Sequence, residues 1–318
     1  MLIKGPPVAR DRVKKILIIQ LGDIGDVVWA IPTFRAVREF YAEARLSILV
    51  RGGTGILLAG DPMIDRIFEV NRPGMTLLKR MRNDLALIRT LRGEHFDLVV
   101  DLRLDDRGAY MARVTGAPVR VAQHSKSLPW RNRFFTHLVE PPPSEKPVRG
   151  AAEQSLRIIR ELGIESKDHI PRMRISEEVL GRASQLLREA GISEGTRWIT
   201  LNPFSRWDYK EWGYEKWVEI IRWLKNRYDV STVIVGAPAE RERADDIAGR
   251  CGGAVCNLAG KTRLDELAGI LSLSGFHVGV DSAAPHIAAA TGTPTAIIYG
   301  PSSWFDWAPL GKEHVVIA

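Results

Sequence analysis

Cysteine is nearly absent from these 318 residues, with Cys251 and Cys256 the only two. Spaced CxxxxC, with no second cysteine or histidine pair in register, they argue against a zinc module or a disulfide framework. They read as small core or loop residues of a reducing compartment. Long hydrophobic runs are also missing. KILIIQL, LSILV, DLVVDL, WITLN, TVIVGA, HVGV and TAIIYG all fall far short of the roughly 20 residues a bilayer-spanning helix needs. The opening MLIKGPPVARDRVKK is basic but lacks an apolar h-region and a small-residue cleavage site. The expectation is a soluble, cytoplasmic chain. Neither half carries GxGxxG after its first strand-like run, which disfavours an NAD-dependent oxidoreductase. There is no Asp-x-Asp, the pattern expected where a divalent ion holds a diphosphate, so no metal site is expected.

A chain of this length with 45% hydrophobic residues can bury two substantial cores. Short β-branched runs alternate with stretches of helical period, which is the pattern of parallel α/β units with helices on both faces of a sheet. In the first half, strands are expected near 14–21, 45–50, 64–70, 96–102 and 119–122, with helices near 27–41, 54–60, 75–93 and 106–116. In the second, strands near 198–203, 231–237, 254–258, 277–281 and 294–300 alternate with helices near 213–228, 239–251, 263–274 and 283–291. Residues 123–147, ending in PPPSEKP, read as loop because proline lacks the amide hydrogen that helix and sheet interiors require. A helical stretch over 150–163 and a polar linker follow, placing the boundary between domains 1–172 and 173–318. Charge is uneven: residues 1–175 hold 30 Lys and Arg against 20 Asp and Glu, and residues 176–318 hold 15 against 18. A basic first half suits an anionic partner or is simply an arginine-rich solvated surface.

In open α/β sheets ligands bind at the carboxyl ends of strands, so the residues just after each strand carry the information. After KILIIQL comes Gly22-Asp23-Ile24-Gly25-Asp26, where a carboxylate can take a proton from an incoming hydroxyl, or Asp23 and Asp26 can serve as turn and N-cap residues. After WITLN, the hydroxyl of Ser205, the guanidinium of Arg206 and the ammonium of Lys210 can make a phosphate clamp, while Trp212 and Trp217 pack the next helix or stack on a base. Glu240, after TVIVGAP, can accept ribose hydroxyls or act as a first-turn helix acid. After HVGV, Asp281 ends a strand and Ser282, Ala283 and Ala284 open a helix whose amides suit a pyrophosphate, with His286 one turn on.

Taken in order, these segments resemble glycosyltransferase family 9, the bacterial heptosyltransferases that build the inner core of lipopolysaccharide. The resemblance spans nearly the whole chain. It is carried by Gly25-Asp26-Val27 through Pro32, by Ser205, Lys210 and Trp212, and by Asp281, Ser282 and His286. Ala283 and Ala284 stand where the family has glycine and proline. Family members also often extend past the strand-like HVVIA at which these residues stop, with a final helix returning to the first domain. The resemblance implies a GT-B fold, two Rossmann-like domains facing across a cleft, and inverting transfer of heptose from an ADP-activated donor without metal or other cofactor. Asp26 then looks like the general base, Lys210 and Ser205 the phosphate binders, Glu240 the ribose contact and Thr262 the adenine neighbour.

An inner-core acceptor is a glycolipid with acidic sugars and phosphates, and Arg103, Arg107 and Arg120 are suggested as its contacts. Residues 124–135 mix basic and aromatic side chains, as a peripheral contact with the inner membrane would, or as a loop packed on its own domain would. The alternatives are a family member using another nucleotide sugar or a protein acceptor, and a non-catalytic nucleotide- or nucleic-acid-binding protein. On the leading reading no nucleic acid partner is expected.

Overall fold

The structure is a computed structural model that describes residues 1–70, 76–142, 150–166 and 168–318. Its contacts divide the chain into two units, Met1–Pro171 and Arg172–Ala318.

The first unit is built on seven strands: β1 (Leu2–Lys4), β2 (Lys15–Gln20), β3 (Arg45–Arg51), β4 (Arg66–Val70), β5 (Leu98–Asp101), β6 (Val119–Gln123) and β7 (His137–Val139). They lie in the order β1-β7-β6-β5-β2-β3-β4, all parallel except β1, which pairs antiparallel with β7. Helices α1 (Ile24–Trp29), α2 (Ile31–Phe40), α3 (Leu77–Gly93), α4 (Asp106–Val114) and α5 (Ala152–Arg160) accompany them. Strand β2 is buried from Ile16 through Gln20 because helices cover both faces of a parallel sheet, so its sequence is apolar without alternation.

The second unit repeats the plan. Helix α6 (Glu177–Glu189) precedes β8 (Trp198–Asn202), α7 (Tyr214–Tyr228), β9 (Ser231–Ile234), α8 (Arg241–Cys251) and β10 (Val255–Asn257). Then come α9 (Leu264–Leu273), β11 (His277–Val280), α10 (Ala283–Ala290), β12 (Thr295–Ile298), α11 (Trp304–Trp307) and β13 (His314–Ile317). The order β10-β9-β8-β11-β12-β13 is parallel throughout. Setting β1 aside, both sheets have the Rossmann strand order 3-2-1-4-5-6, which reverses direction beside the first strand. That switch point falls between β2 and β5 in one unit and between β8 and β11 in the other.

Several expectations are corrected. The helix expected over 54–60 is a single 3-10 turn, Gly55–Leu57, followed by loop. The helix expected over 27–41 begins three residues earlier and breaks at Ala30, where α2 restarts with Pro32 in its first turn, a position that needs no amide hydrogen. The expected loop 123–147 contains β7 and a 3-10 turn, Arg131–Phe134, and its residues 143–147 lie outside the described ones. Helix α6 was not anticipated, although Ser176 caps it by accepting from the Val179 amide and Glu177 and Glu178 follow in its first turn.

Candidate functional site

At the first switch point the chain leaves β2 through Gly22 and turns into α1. Asp23 is the N-cap residue, and Asp26, in the first turn, folds back so that its Oδ2 accepts from the Asp23 amide at 2.8 Å. The turn works only because residue 22 is glycine: a Cβ there would collide with the Asp26 carboxyl. A helix-capping contact and a place at the strand ends thus coincide in one carboxylate. The same Oδ2 meets Arg103 Nη1, from the loop after β5, at 2.9 Å. Burial raises the Asp26 pKa above the usual carboxylate value, while Arg103 and the Asp23 amide pull it down. Gln20, Trp29, Gln154 and Ser155 line the small hollow of about 30 Å³ onto which Asp26 and Arg103 open. Arg51, at the end of β3, pairs with Asp23 and adds a cation that sequence reasoning missed.

Arg103 is held from behind by Arg131. This guanidinium is completely buried and contacts Asp101 Oδ2 at 2.7 Å, the Asp105 carbonyl at 3.0 Å, the Gln123 carbonyl at 3.1 Å and the Arg103 carbonyl. It also lies over the Phe135 ring. Residues 124–135 are therefore largely folded onto their own domain: Arg131 and Phe135 are buried, and Asn132 closes a turn with Ser125. Trp130 is left half-exposed, and Lys126, Ser127, Pro129 and Arg133 are exposed as well. Arg107 is exposed in the first turn of α4, at the same end of the sheet as Arg103. Arg120 is a correction. It sits near the amino end of β6, where its guanidinium donates to the Phe134 and Ala117 carbonyls, so it is at the wrong end of the sheet to join Asp26 and Arg103.

At the second switch point two predicted residues, Lys210 and His286, and one that sequence reasoning missed, Ser302, meet the Asp281 carboxyl just past β11. Lys210 Nζ reaches Oδ2 at 2.6 Å, Ser302 Oγ donates to the same oxygen at 2.7 Å, and His286 Nε2 lies 3.8 Å from Oδ1. Ser205 Oγ donates to the Asp281 carbonyl at 3.4 Å. Burial lowers the His286 pKa; Asp281 opposes the shift and Lys210 adds to it, so the ring is neutral near pH 7. Ser282 is the N-cap of α10, but its hydroxyl turns to Asn202 Oδ1 at 2.8 Å and no side chain caps the helix. The amides of Ala283 and Ala284 therefore begin α10 at a position where an anion is favoured. Arg206 is exposed and lies over the Trp207 ring.

Glu240 lies beyond β9, where its Oε2 accepts from the Ala237 amide at 2.6 Å, again a turn role and a site position in one group. Burial raises its pKa, against the pull of the Ala237 amide and Arg243. Gly260, in the loop that carries Thr262, has φ +71° and donates to the Gly236 carbonyl at 2.9 Å; a Cβ on it would come within 2.7 Å of the Pro238 Cα. Glycine thus brings the loops of Thr262 and Glu240 together. Sequence reasoning missed Glu211, which accepts from the Ser205 amide at 3.0 Å and pairs with Arg243. Arg243 in turn lies against Phe204 and Tyr214, fixing the loop that carries Ser205 and Lys210. Glu211 directly follows Lys210 in the sequence, which was the only available signal.

Comparisons with known proteins agree with one another. The model of glycosyltransferase family 9 (heptosyltransferase) matches residues 85–318. Lipopolysaccharide heptosyltransferase 3 of Escherichia coli (strain K12) is 28% identical over 301 residues, 92% of this chain and 84% of the relative. Among solved structures, the glycosyl transferase family 9 protein from Veillonella parvula DSM 2008 has a TM-score of 0.84 at 21% identity, covering 96% of this chain and 85% of that one. E. coli ADP-heptose lps heptosyltransferase II has a TM-score of 0.79 at 20% identity, covering 95% and 90%. At these identities the structural likeness shows the fold, two Rossmann-like domains of GT-B architecture.

Proposed function

For a chain that belongs to glycosyltransferase family 9, we propose inverting, metal-independent transfer of heptose from ADP-heptose to an acidic acceptor of the lipopolysaccharide inner core. The observation that carries this reading is Asp26: a mostly buried carboxylate with a raised pKa, at the switch point of the first unit, open to a small hollow. The names of the relatives support the choice of sugar and acceptor, since one is a lipopolysaccharide heptosyltransferase and another an ADP-heptose enzyme.

Asp26 accepts the proton of the acceptor hydroxyl as that oxygen attacks the anomeric carbon and the bond to the diphosphate breaks, so the configuration inverts and ADP leaves. Arg103 keeps Asp26 ionised between turnovers and, with Arg107, meets the acidic groups of the acceptor. The negative charge growing on the leaving diphosphate meets Lys210, the Ser205 hydroxyl and the first amides of α10 beside Asp281, with the exposed Arg206 of the same loop as a further cation. Asp281 is unsuited to touching phosphate; it aims Lys210 and Ser302, and His286 offers a neutral donor beside them. Glu240 accepts ribose hydroxyls, and Thr262 borders the base. No divalent ion takes part, in keeping with the lack of Asp-x-Asp.

The test is transfer itself. Purified protein, ADP-heptose and a heptose-acceptor glycolipid in the presence of EDTA should yield the extended glycolipid and ADP, with the anomeric configuration of the new bond read by NMR. ADP should raise the melting temperature more than UDP or GDP, by mass action on the folded state. A stronger response to UDP or GDP, or a requirement for metal, would refute this donor chemistry.

A further inference from the structure

Helix α3 has a core-facing side and an outward side that nothing in the fold explains. Leu91 is fully buried and Leu87 packs on the core of the first unit. At about 100° per residue the opposite side carries Leu78, Met81 and Leu85. They are 80%, 53% and 52% exposed. Arg82, Arg89 and Arg92 fall on the same side and are exposed, and no carboxylate among the described residues pairs with them. Over its length the helix holds five Lys and Arg against a single acid, Asp84. Single exposed leucines are ordinary, but a stripe of three large apolar side chains interleaved with three arginines is not explained by folding. The arginines argue against burial in a protein core, and the leucines against a purely solvated face.

We propose that this face of α3 docks on an anionic lipid bilayer, with Leu78, Met81 and Leu85 in the headgroup–acyl boundary and Arg82, Arg89 and Arg92 on lipid phosphates. The inference deepens the functional reading and rests on it in one respect, that a glycolipid acceptor is presented at such a surface. It also relocates the membrane contact. Residues 124–135 cannot supply it as a unit, because Arg131 and Phe135 are buried in the first unit.

The experiment is co-sedimentation of the full chain with vesicles of equal parts phosphatidylglycerol and phosphatidylcholine, and with phosphatidylcholine alone. Two triple variants are compared with the wild type: Leu78→Ser with Met81→Ser and Leu85→Ser, and Arg82→Ala with Arg89→Ala and Arg92→Ala. All six positions are exposed, so both variants should fold, as melting curves will show. The wild type should bind the anionic vesicles, less so at high salt and on the neutral ones. The arginine variant should lose roughly a hundredfold in affinity, at about a fivefold loss per cation, and the serine variant about tenfold or more. Turnover on a soluble, delipidated acceptor should be unchanged in both. Failure of the wild type to bind, or equal binding by wild type and variants, overturns the proposal. So does concentration-dependent self-association of the wild type that the same substitutions abolish, since the face would then belong to a second copy. If the wild type binds vesicles but transfers no heptose to the soluble acceptor, the functional reading falls and the docking face stands.

Discussion

The two units share a strand order and differ in what they place at its reversal. At the end of β2 and β5 the first unit has carboxylates interleaved with guanidinium groups: Asp23 with Arg51, and Asp26 with Arg103, backed by the buried Arg131 and Asp101. At the end of β8 and β11 the second has a single lysine aimed by a buried carboxylate, serine hydroxyls and an uncapped helix of small residues. One arrangement can move a proton, and the other can hold a polyanion. The same backbone geometry serves both because the switch point supplies only a crevice and a helix terminus, and side chains decide the chemistry.

This contrast predicts two failures of different kind. Asp26→Asn should lower kcat by about 10²–10⁴-fold, the usual range for a lost general base, and leave ADP-heptose affinity, measured by calorimetry, close to the wild type. A variant that turns over normally would remove Asp26 from the reaction. Lys210→Ala should lower kcat/KM by roughly 10²–10³-fold and, unlike Asp26→Asn, weaken ADP binding, because Asp281 is left uncompensated next to the diphosphate. If both variants fail in the same way, the division of labour between the units is wrong.

How much of this could be read beforehand follows the range of the forces involved. The strand–helix alternation, the turn after β2 and the helix after β11 are local patterns, and the sequence displays them. Lys210, Asp281 and His286 were singled out because each follows a strand, and the sheet order brings strand ends together. What escaped was set by long-range pairing. Arg131 looked like one more cation in a basic loop, since nothing nearby in sequence announces Asp101, thirty residues earlier. Arg120 was misjudged because it was chosen for its charge in a basic half, although the strand expected over 119–122 already set it near the amino end, away from the carboxyl ends where ligands bind. Strand β7 and its antiparallel partner β1 are three residues each, too short to show alternation.

The supports beneath the two sites differ as well. Arg131→Met leaves Asp101 buried without its partner, and should cost the first unit about 3–5 kcal/mol. The loss should appear as faster hydrogen exchange in β5, β6 and α4, with β8 and β11 keeping their protection. Adding Asp101→Asn should return part of the stability. Uniform loss across both units would mean that the pair does not act locally.

The smallest expected effect is a difference in acid response. In the second unit His277 is wholly buried, with Nδ1 3.0 Å from Thr200 Oγ1, and burial lowers its pKa to about 3. The unfolded chain binds this proton near pH 6.5, whereas the folded one does not. The stability His277 confers is therefore complete above pH 6.5 and declines as pH falls toward 3, by at most about 1.4 kcal/mol per pH unit. Asp101 works in the opposite sense, because burial raises its pKa despite Arg131. Its contribution is largest below the ordinary carboxylate value and shrinks as pH rises toward the raised one. Acidifying from pH 7 to pH 5 should thus loosen β8 and β11 relative to β2 and β5 in hydrogen exchange corrected for intrinsic rates. His277→Gln should remove part of that difference, the remainder coming from His286, whose pKa burial also lowers, and from Asp101; an unchanged difference in the variant would assign the acid response to those other groups.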